Sequence, residues 1–148
     1  MSEEMRSDII KASKYVHCKI DAAITAMLSN RDLTAAQSHV LMCLMKSGDA
    51  FSSDIHRRLN ISRATVSGLI KKLCANGYIT FEGCEKDERH KKIVVTQKAI
   101  EHKAEIDRCM SDIEDVVFSD FSQEELEELH RLMGKMAKNI NNIKKGGI

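Results

Sequence analysis

No proline interrupts the chain anywhere along its 148 residues. Proline breaks helices because its ring removes a backbone donor and clashes with the preceding turn. A chain without it, and rich in Glu, Lys, Leu, Met and Ala, favours long uninterrupted helices. Aromatic residues make up 4% of the chain and Trp is absent, so a core must rest on Leu, Ile, Val, Met and Ala. The length suits one compact domain with enough chain to bury a core. No apolar run approaches the ~20 residues a membrane span needs. Met1 to Ile10 carries Glu3, Glu4, Arg6 and Asp8 rather than the basic-then-apolar layout of a signal peptide. The expected location is the cytoplasm, with no membrane partner.

Apolar spacing locates the elements. From about Ser7 to Leu28, Ile9, Ile10, Val16, Ile20, Ala23, Ile24, Met27 and Leu28 recur at helical intervals, and Ser29-Asn30-Arg31-Asp32 breaks the pattern. Thr34 and Gln37 form a T-x-x-Q capping box that opens a second helix through Val40, Leu41, Leu44 and Met45, ended by Gly48. Ser52 or Ser53 is expected to cap a short helix with Ile55 and Leu59 facing inward. Asn60-Ile61 then turns the chain, and Ser62 caps a helix whose Val66, Leu69, Ile70 and Leu73 form one apolar stripe. Gly77 stops it. Tyr78 to Phe81 reads as a strand and Lys92 to Thr96 as its partner, a hairpin with a long polar tip. Two long helices close the chain. One spans about Gln97 to Phe118; the other opens with Ser122-x-x-Glu125 and runs through Leu126, Leu129, Met133, Met136, Ile140 and Ile143. The expected fold class is mainly α with a small β-hairpin wing.

The formal net charge is only +1, but it is unevenly spread. Residues 51–95 hold nine Lys/Arg against five Asp/Glu, and the remainder holds 14 against 17. A basic middle between acidic ends is the footprint expected for a polyanion. Short helix, turn, second helix is also the plan of a helix-turn-helix. Opposite its apolar stripe the second helix offers Arg63, Thr65, Ser67, Lys71 and Lys72, with Gly68 letting a backbone approach. Arg63, Thr65 and Ser67 occupy the first turns, where side chains reach base edges, and Lys71 and Lys72 suit phosphates. The competing reading is the solvated face of an ordinary core helix. The tip from Glu82 to Lys92 is too long and too charged for a mere connection. A basic hairpin beside such a helix can place an arginine in the minor groove.

These features resemble the MarR (multiple antibiotic resistance regulator) family. Ile61-Ser62-Arg63-Ala64-Thr65-Val66-Ser67, then Leu73 and Asn76-Gly77-Tyr78-Ile79, is similar to its recognition helix and helix-to-wing junction. Asp87-x-Arg89 with Lys91 and Thr96 resembles the family's D-x-R…T wing signature. The resemblance covers nearly the whole chain. It implies a winged helix-turn-helix regulator that binds a pseudo-palindromic double-stranded operator as a homodimer, without a cofactor. The implied DNA-binding set is Ser62, Arg63, Thr65, Ser67, Lys71, Lys72, Lys86, Asp87, Arg89 and Lys91. Arg89 would be the minor-groove arginine. Asp87 would orient it or a helix arginine, Arg57 and Arg58 being nearest, although a purely structural ion pair fits as well. Residues 1–148 would form a single domain, with 51–96 as the DNA-binding part and 5–30 and 97–145 as dimerisation helices. A helix from Ser7 to Leu28 is roughly 33 Å long, more than a small winged domain can cover. The pairs Ile113/Val117 and Val116/Phe121 add apolar surface near the termini, and Leu126, Leu129, Met133, Met136 and Ile140 add more. An intramolecular bundle is the alternative.

Family resemblance further implies a repressor released by a small aromatic or phenolic ligand, or a cysteine-based oxidant sensor. Tyr15, His17 and Cys18 on the first helix, with His39, Met42 and Cys43 on the second, are the candidate ligand residues; ordinary core and boundary roles compete. Cys18 and Cys84 are the candidate redox residues, with Lys86 favouring a Cys84 thiolate and Glu82 and Glu85 opposing it. Cys74 is expected buried and inert, and Cys109 structural. Five widely spaced cysteines with no C-x-x-C pair give neither a disulfide framework nor a zinc ribbon, and the histidines show no ligand spacing, so no metal is expected. No phosphate loop, H-E-x-x-H or G-x-S-x-G motif points to an enzyme. A winged-helix protein-interaction module is the remaining alternative, and it would not need Arg89, Lys91 and Lys92 on its wing.

Overall fold

The computed structural model describes residues 2–48, 50–83 and 91–146. The elements are α1 (Ser2–Met27), a 3₁₀ turn (Ser29–Arg31), α2 (Ala35–Ser47), α3 (Ser52–Leu59), α4 (Arg63–Ala75), β1 (Ile79–Glu82), β2 (Lys92–Val95), α5 (Gln97–Val117) and α6 (Gln123–Gly146). The fold class is that expected from the sequence. The chain divides into two compact units, one reaching to Ile113 and the other starting at Glu114.

Local chemistry sets most boundaries. Thr34 Oγ1 accepts from the Gln37 N–H at 3.3 Å while Gln37 Oε1 accepts from the Thr34 N–H at 3.1 Å, the reciprocal box that opens α2. Ser62 Oγ accepts from the Thr65 N–H at 3.1 Å and starts α4. Ser122 and Glu125 exchange the same pair of bonds, at 3.2 and 2.9 Å, at the head of α6. The short α3 departs from expectation. Ser52 and Ser53 lie inside the helix, and Phe51 takes the capping position with its N–H donating to Asp54 Oδ2 at 3.0 Å. A carboxylate three residues in satisfies an orphan donor and suits the positive helix end, so no serine cap is needed. The Phe51 N–H holds the Asp54 carboxyl below the usual carboxylate range, and Arg57, 2.8 Å away, adds to this against the cost of desolvation. The break after α1 is the 3₁₀ turn, followed by Asp32 at φ 55°, a left-handed residue. Asn60 at φ 53° makes the corresponding bend between α3 and α4, and His56 Nδ1 bonds the Ile61 carbonyl across it.

The core lies in the first unit. Ile24 from the end of α1 and Leu28 just after it, Val40, Leu41 and Leu44 from α2, Ile55 from α3, Val66, Ile70 and Leu73 from α4, and Ile106 from α5 are all buried. β1 and β2 pair antiparallel, Ile79 with Val95 and Phe81 with Ile93. Ile93 also exchanges two backbone bonds with Ala50, at 2.8 and 3.3 Å, which pins the hairpin to the chain just before α3. The helix pair and the hairpin are thus fastened to one another through a shared core. α1 leaves Met5, Ile9, Ile10 and Val16 exposed.

The second unit has little interior of its own. Phe118 and Phe121 meet edge to face, with ring centroids 5.7 Å apart. Among the described side chains of α6 none is buried; Leu126 and Met136 are half-buried, and Leu129, Met133, Ile140 and Ile143 are exposed. Val116 is 76% exposed.

Candidate nucleic-acid interface

The burial of Val66, Ile70 and Leu73, with Leu69 half-buried, fixes the rotation of α4 about its axis. Helical period then leaves Arg63, Thr65, Ser67, Lys71 and Lys72 all exposed. Ser62 is exposed too, but its hydroxyl is engaged: besides capping α4 it bonds Thr65 Oγ1 at 2.7 Å. That bond restrains the Thr65 side chain before any ligand arrives. Gly68 faces open space, since a Cβ built there would meet nothing within 4 Å. The chain's own packing therefore does not require a glycine at this position.

Lys91 is half-buried at the foot of β2. Lys86, Asp87 and Arg89, like Cys84, lie outside the described residues. Arg57, one of the two arginines considered for Asp87, is paired with Asp54 of its own helix.

Two hollows flank the helix-turn-helix. The first, of about 630 Å³, runs along α4 between Arg63, Ser67 and Lys71 on one side and Ser52, Ser53 and Phe81 on the other, above Val66 and Ile70. Cys74 also lines it and is half-buried rather than buried, because it sits on the flank of the stripe one residue past Leu73. Cys109 is buried; desolvation pushes its thiol up, and Asp112 and Glu105 push it the same way.

The second hollow, of about 610 Å³, is formed by α2, α3 and α5. It gathers His39, Met42 and Cys43, as proposed from the sequence, and adds Met45, Lys46, Arg58, Leu59 and Lys103. Tyr15, His17 and Cys18 are not among its lining. They are exposed on α1, where His17 approaches Asp21 at 3.4 Å and Lys19 lies 5.5 Å from the Tyr15 ring centroid. Lys46 was legible by helical period, being one turn from Met42 and Cys43. Arg58 and Lys103 come from other elements, and no local pattern announces them. Among the described residues no three His, Cys, Asp or Glu side chains converge as a metal site, and no helix is long and apolar enough to cross a membrane.

A short helix, a left-handed turn, a second helix exposing a basic face and an antiparallel hairpin on a shared core define a winged helix-turn-helix domain. The model of the MarR family matches residues 31–90. The HTH-type transcriptional regulator YwoH of Bacillus subtilis is 33% identical over 100 residues, which are 68% of this chain and 72% of that protein. A MarR transcriptional regulator from Methanosarcina mazei shares the fold with a TM-score of 0.81 at 23% identity, over 93% of this chain and 99% of the other. A MarR-family regulator from Listeria monocytogenes, solved with a 26-mer DNA, also superposes with a TM-score of 0.81, at 21% identity over 94% and 95% of the two chains. The chain belongs to the MarR family of transcriptional regulators.

Proposed function

We propose that this chain is a homodimeric transcription regulator that binds a pseudo-palindromic double-stranded operator in the cytoplasm and acts as a repressor released by a small anionic ligand. The observation that carries the DNA reading is the face of α4: five polar or basic side chains exposed on a helix whose other face is locked in the core. The Listeria relative with bound DNA supports it. In this reading Arg63, Thr65 and Ser67 meet base edges, with Ser62 holding Thr65 in place. Lys71, Lys72, Lys86 and Lys91 neutralise phosphates. Arg89 enters the minor groove, oriented by Asp87. Residues 51–96 form the DNA-binding part and 5–30 and 97–145 the dimerisation part, where the exposed apolar residues of α1 and α6 would find their cover.

The test is selection of duplexes from a random pool, followed by titration of variants. Arg63→Ala should lose about 1–3 kcal/mol and relax preference at one position per half-site, and Arg89→Ala should lose a similar amount, chiefly on A·T-flanked sites. Lys72→Ala should leave preference unchanged and lower the salt slope of binding by about 1. Failure of the wild type to retain any duplex at low ionic strength would remove the reading.

The hollow between α2, α3 and α5 supports the ligand half of the proposal. Lys46, Arg58 and Lys103, the last of them paired with Asp107 of its own helix, bring positive charge over an apolar floor of Met42, Met45 and Leu59, with His39 as a further polar contact. That chemistry suits a phenolic carboxylate, and a molecule seated there would press on α3, the first helix of the DNA-binding pair. Millimolar 4-hydroxybenzoate is expected to weaken operator binding, and Lys103→Ala to blunt that response while leaving ligand-free affinity intact. An unchanged response in the variant would move the ligand elsewhere.

A further inference from the structure

Three residues, Asn76, Gly77 and Tyr78, join α4 to β1 and decide the angle at which the hairpin leaves the helix. Each of their carbonyls is held by the start of α5. Lys98 Nζ donates to the Asn76 carbonyl at 2.6 Å, Thr96 Oγ1 to the Gly77 carbonyl at 2.6 Å, and the Thr96 N–H to the Tyr78 carbonyl at 3.0 Å. The side chains reach the opposite way. The Tyr78 hydroxyl donates to the Arg31 carbonyl at 2.6 Å, and Asn76 Nδ2 to the Asp32 carbonyl at 3.1 Å. Arg31 is itself paired with Glu105 of α5, Nε to Oε2 at 2.7 Å.

Tyr78 is 0% exposed. Lys98 Nζ lies 4.5 Å from its ring centroid, and His102 meets the ring edge-on at 5.9 Å. Gly77, at φ 79°, supplies a backbone conformation that other residues rarely adopt. Apolar burial of Leu73 and Ile79 on either side sets how deep the junction sits, but that force has no direction. Hydrogen bonds do, because they weaken steeply off axis. This joint has five of them aimed from two sides.

We propose that Tyr78 and Lys98 are positioning residues for DNA recognition: without touching DNA, they hold α4 and the β1–β2 hairpin at the one angle that lets both engage a duplex. The inference rests on the DNA-binding reading above. Tyr78→Phe removes only the hydroxyl, and Lys98→Met keeps the aliphatic stem while removing the cation and donor. Both are titrated against a duplex selected by the wild type and a scrambled duplex of equal length.

Each variant should bind the selected duplex about tenfold more weakly, the worth of one directed hydrogen bond, and the scrambled duplex almost as well as the wild type. The slope of log Kd against log salt should not change, because no phosphate contact is lost. Lys98→Arg, which keeps a donor and a charge, should restore most of the affinity. A lower melting temperature with undiminished affinity in the folded fraction would make the joint merely structural and overturn the proposal. A salt slope reduced by about 1 in Lys98→Met would overturn it too, by placing Lys98 on a phosphate. Should Tyr78→Phe fail to fold, Lys98→Met, altered at a half-buried site, decides alone. A wild type that enriches no duplex removes the DNA-binding reading and this proposal with it; a wild type that does, with variants of equal affinity, removes only the proposal.

Discussion

Met133→Glu combined with Ile140→Glu should leave the protein monomeric and lower its affinity for a two-half-site operator by about 100-fold or more. The apolar residues of α6, Leu126, Leu129, Met133, Met136, Ile140 and Ile143, follow a 3-4-3-4-3 spacing, the seam by which helices pack side by side. None is buried, and Ile140 is 58% exposed. So long an apolar row is costly to leave in water and calls for a second helix. Two carboxylates placed in a seam of that kind would be stripped of water without partners, at several kcal/mol each. A monomer engages one half-site, so the gain from having the second recognition helix already at hand is lost, a factor of ~10²–10⁴. Glutamate is a good helix former, so the helical signal should persist. Sedimentation reads the first effect and fluorescence anisotropy the second. A double variant that remained dimeric would show that α6 does not form the interface.

Leu73→Ala should cost about 2–5 kcal/mol of stability, the range for truncating a fully buried leucine. Leu73 is 0% exposed and sits in the core shared with Ile55, Val66 and Ile79. Its loss opens a cavity beneath the helix that carries Arg63, Thr65 and Ser67. In a chain of this size the melting temperature should fall by roughly 5–20 °C. Leu73→Met, which conserves volume, should cost less than about 1.5 kcal/mol. Urea titration of both variants checks the difference, and an unchanged midpoint in Leu73→Ala would remove Leu73 from the core.

How much could be read in advance depended on how local the cause was. The boxes at Thr34/Gln37 and Ser122/Glu125 and the cap at Ser62 are bonds between residues three apart, and the structure forms them as the spacing indicates. The head of α3 lies at Phe51 and not at Ser52 or Ser53 because two local solutions compete; Asp54 reaching back to Phe51 prevails, and it also pairs with Arg57 one turn on. The rotation of α4 was legible because its apolar residues repeat with the helical period. Cys74, on the edge of that stripe, was not, since a single residue's rotation, under a third of a turn, decides between core and hollow.

The grouping proposed for a ligand separated for a similar reason. His39, Met42 and Cys43 share a face of α2 and stay together, whereas Tyr15, His17 and Cys18 belong to the solvent-facing stretch of α1. Arg58 and Lys103 enter the same hollow from other helices, 45 residues apart in the numbering.

From the order of its residues alone this chain dictates where most of its capped helices begin, which of their faces are apolar, and that residues 51–95 carry an excess of positive charge. Those outcomes come from torsions, caps and periodicities acting within a turn or two. Which carbonyl receives the Tyr78 hydroxyl, 47 positions away, and which cations line the same hollow as His39 are settled by packing. Contacts between distant segments exist only after burial of the core has brought them together, and no short-range rule specifies them beforehand.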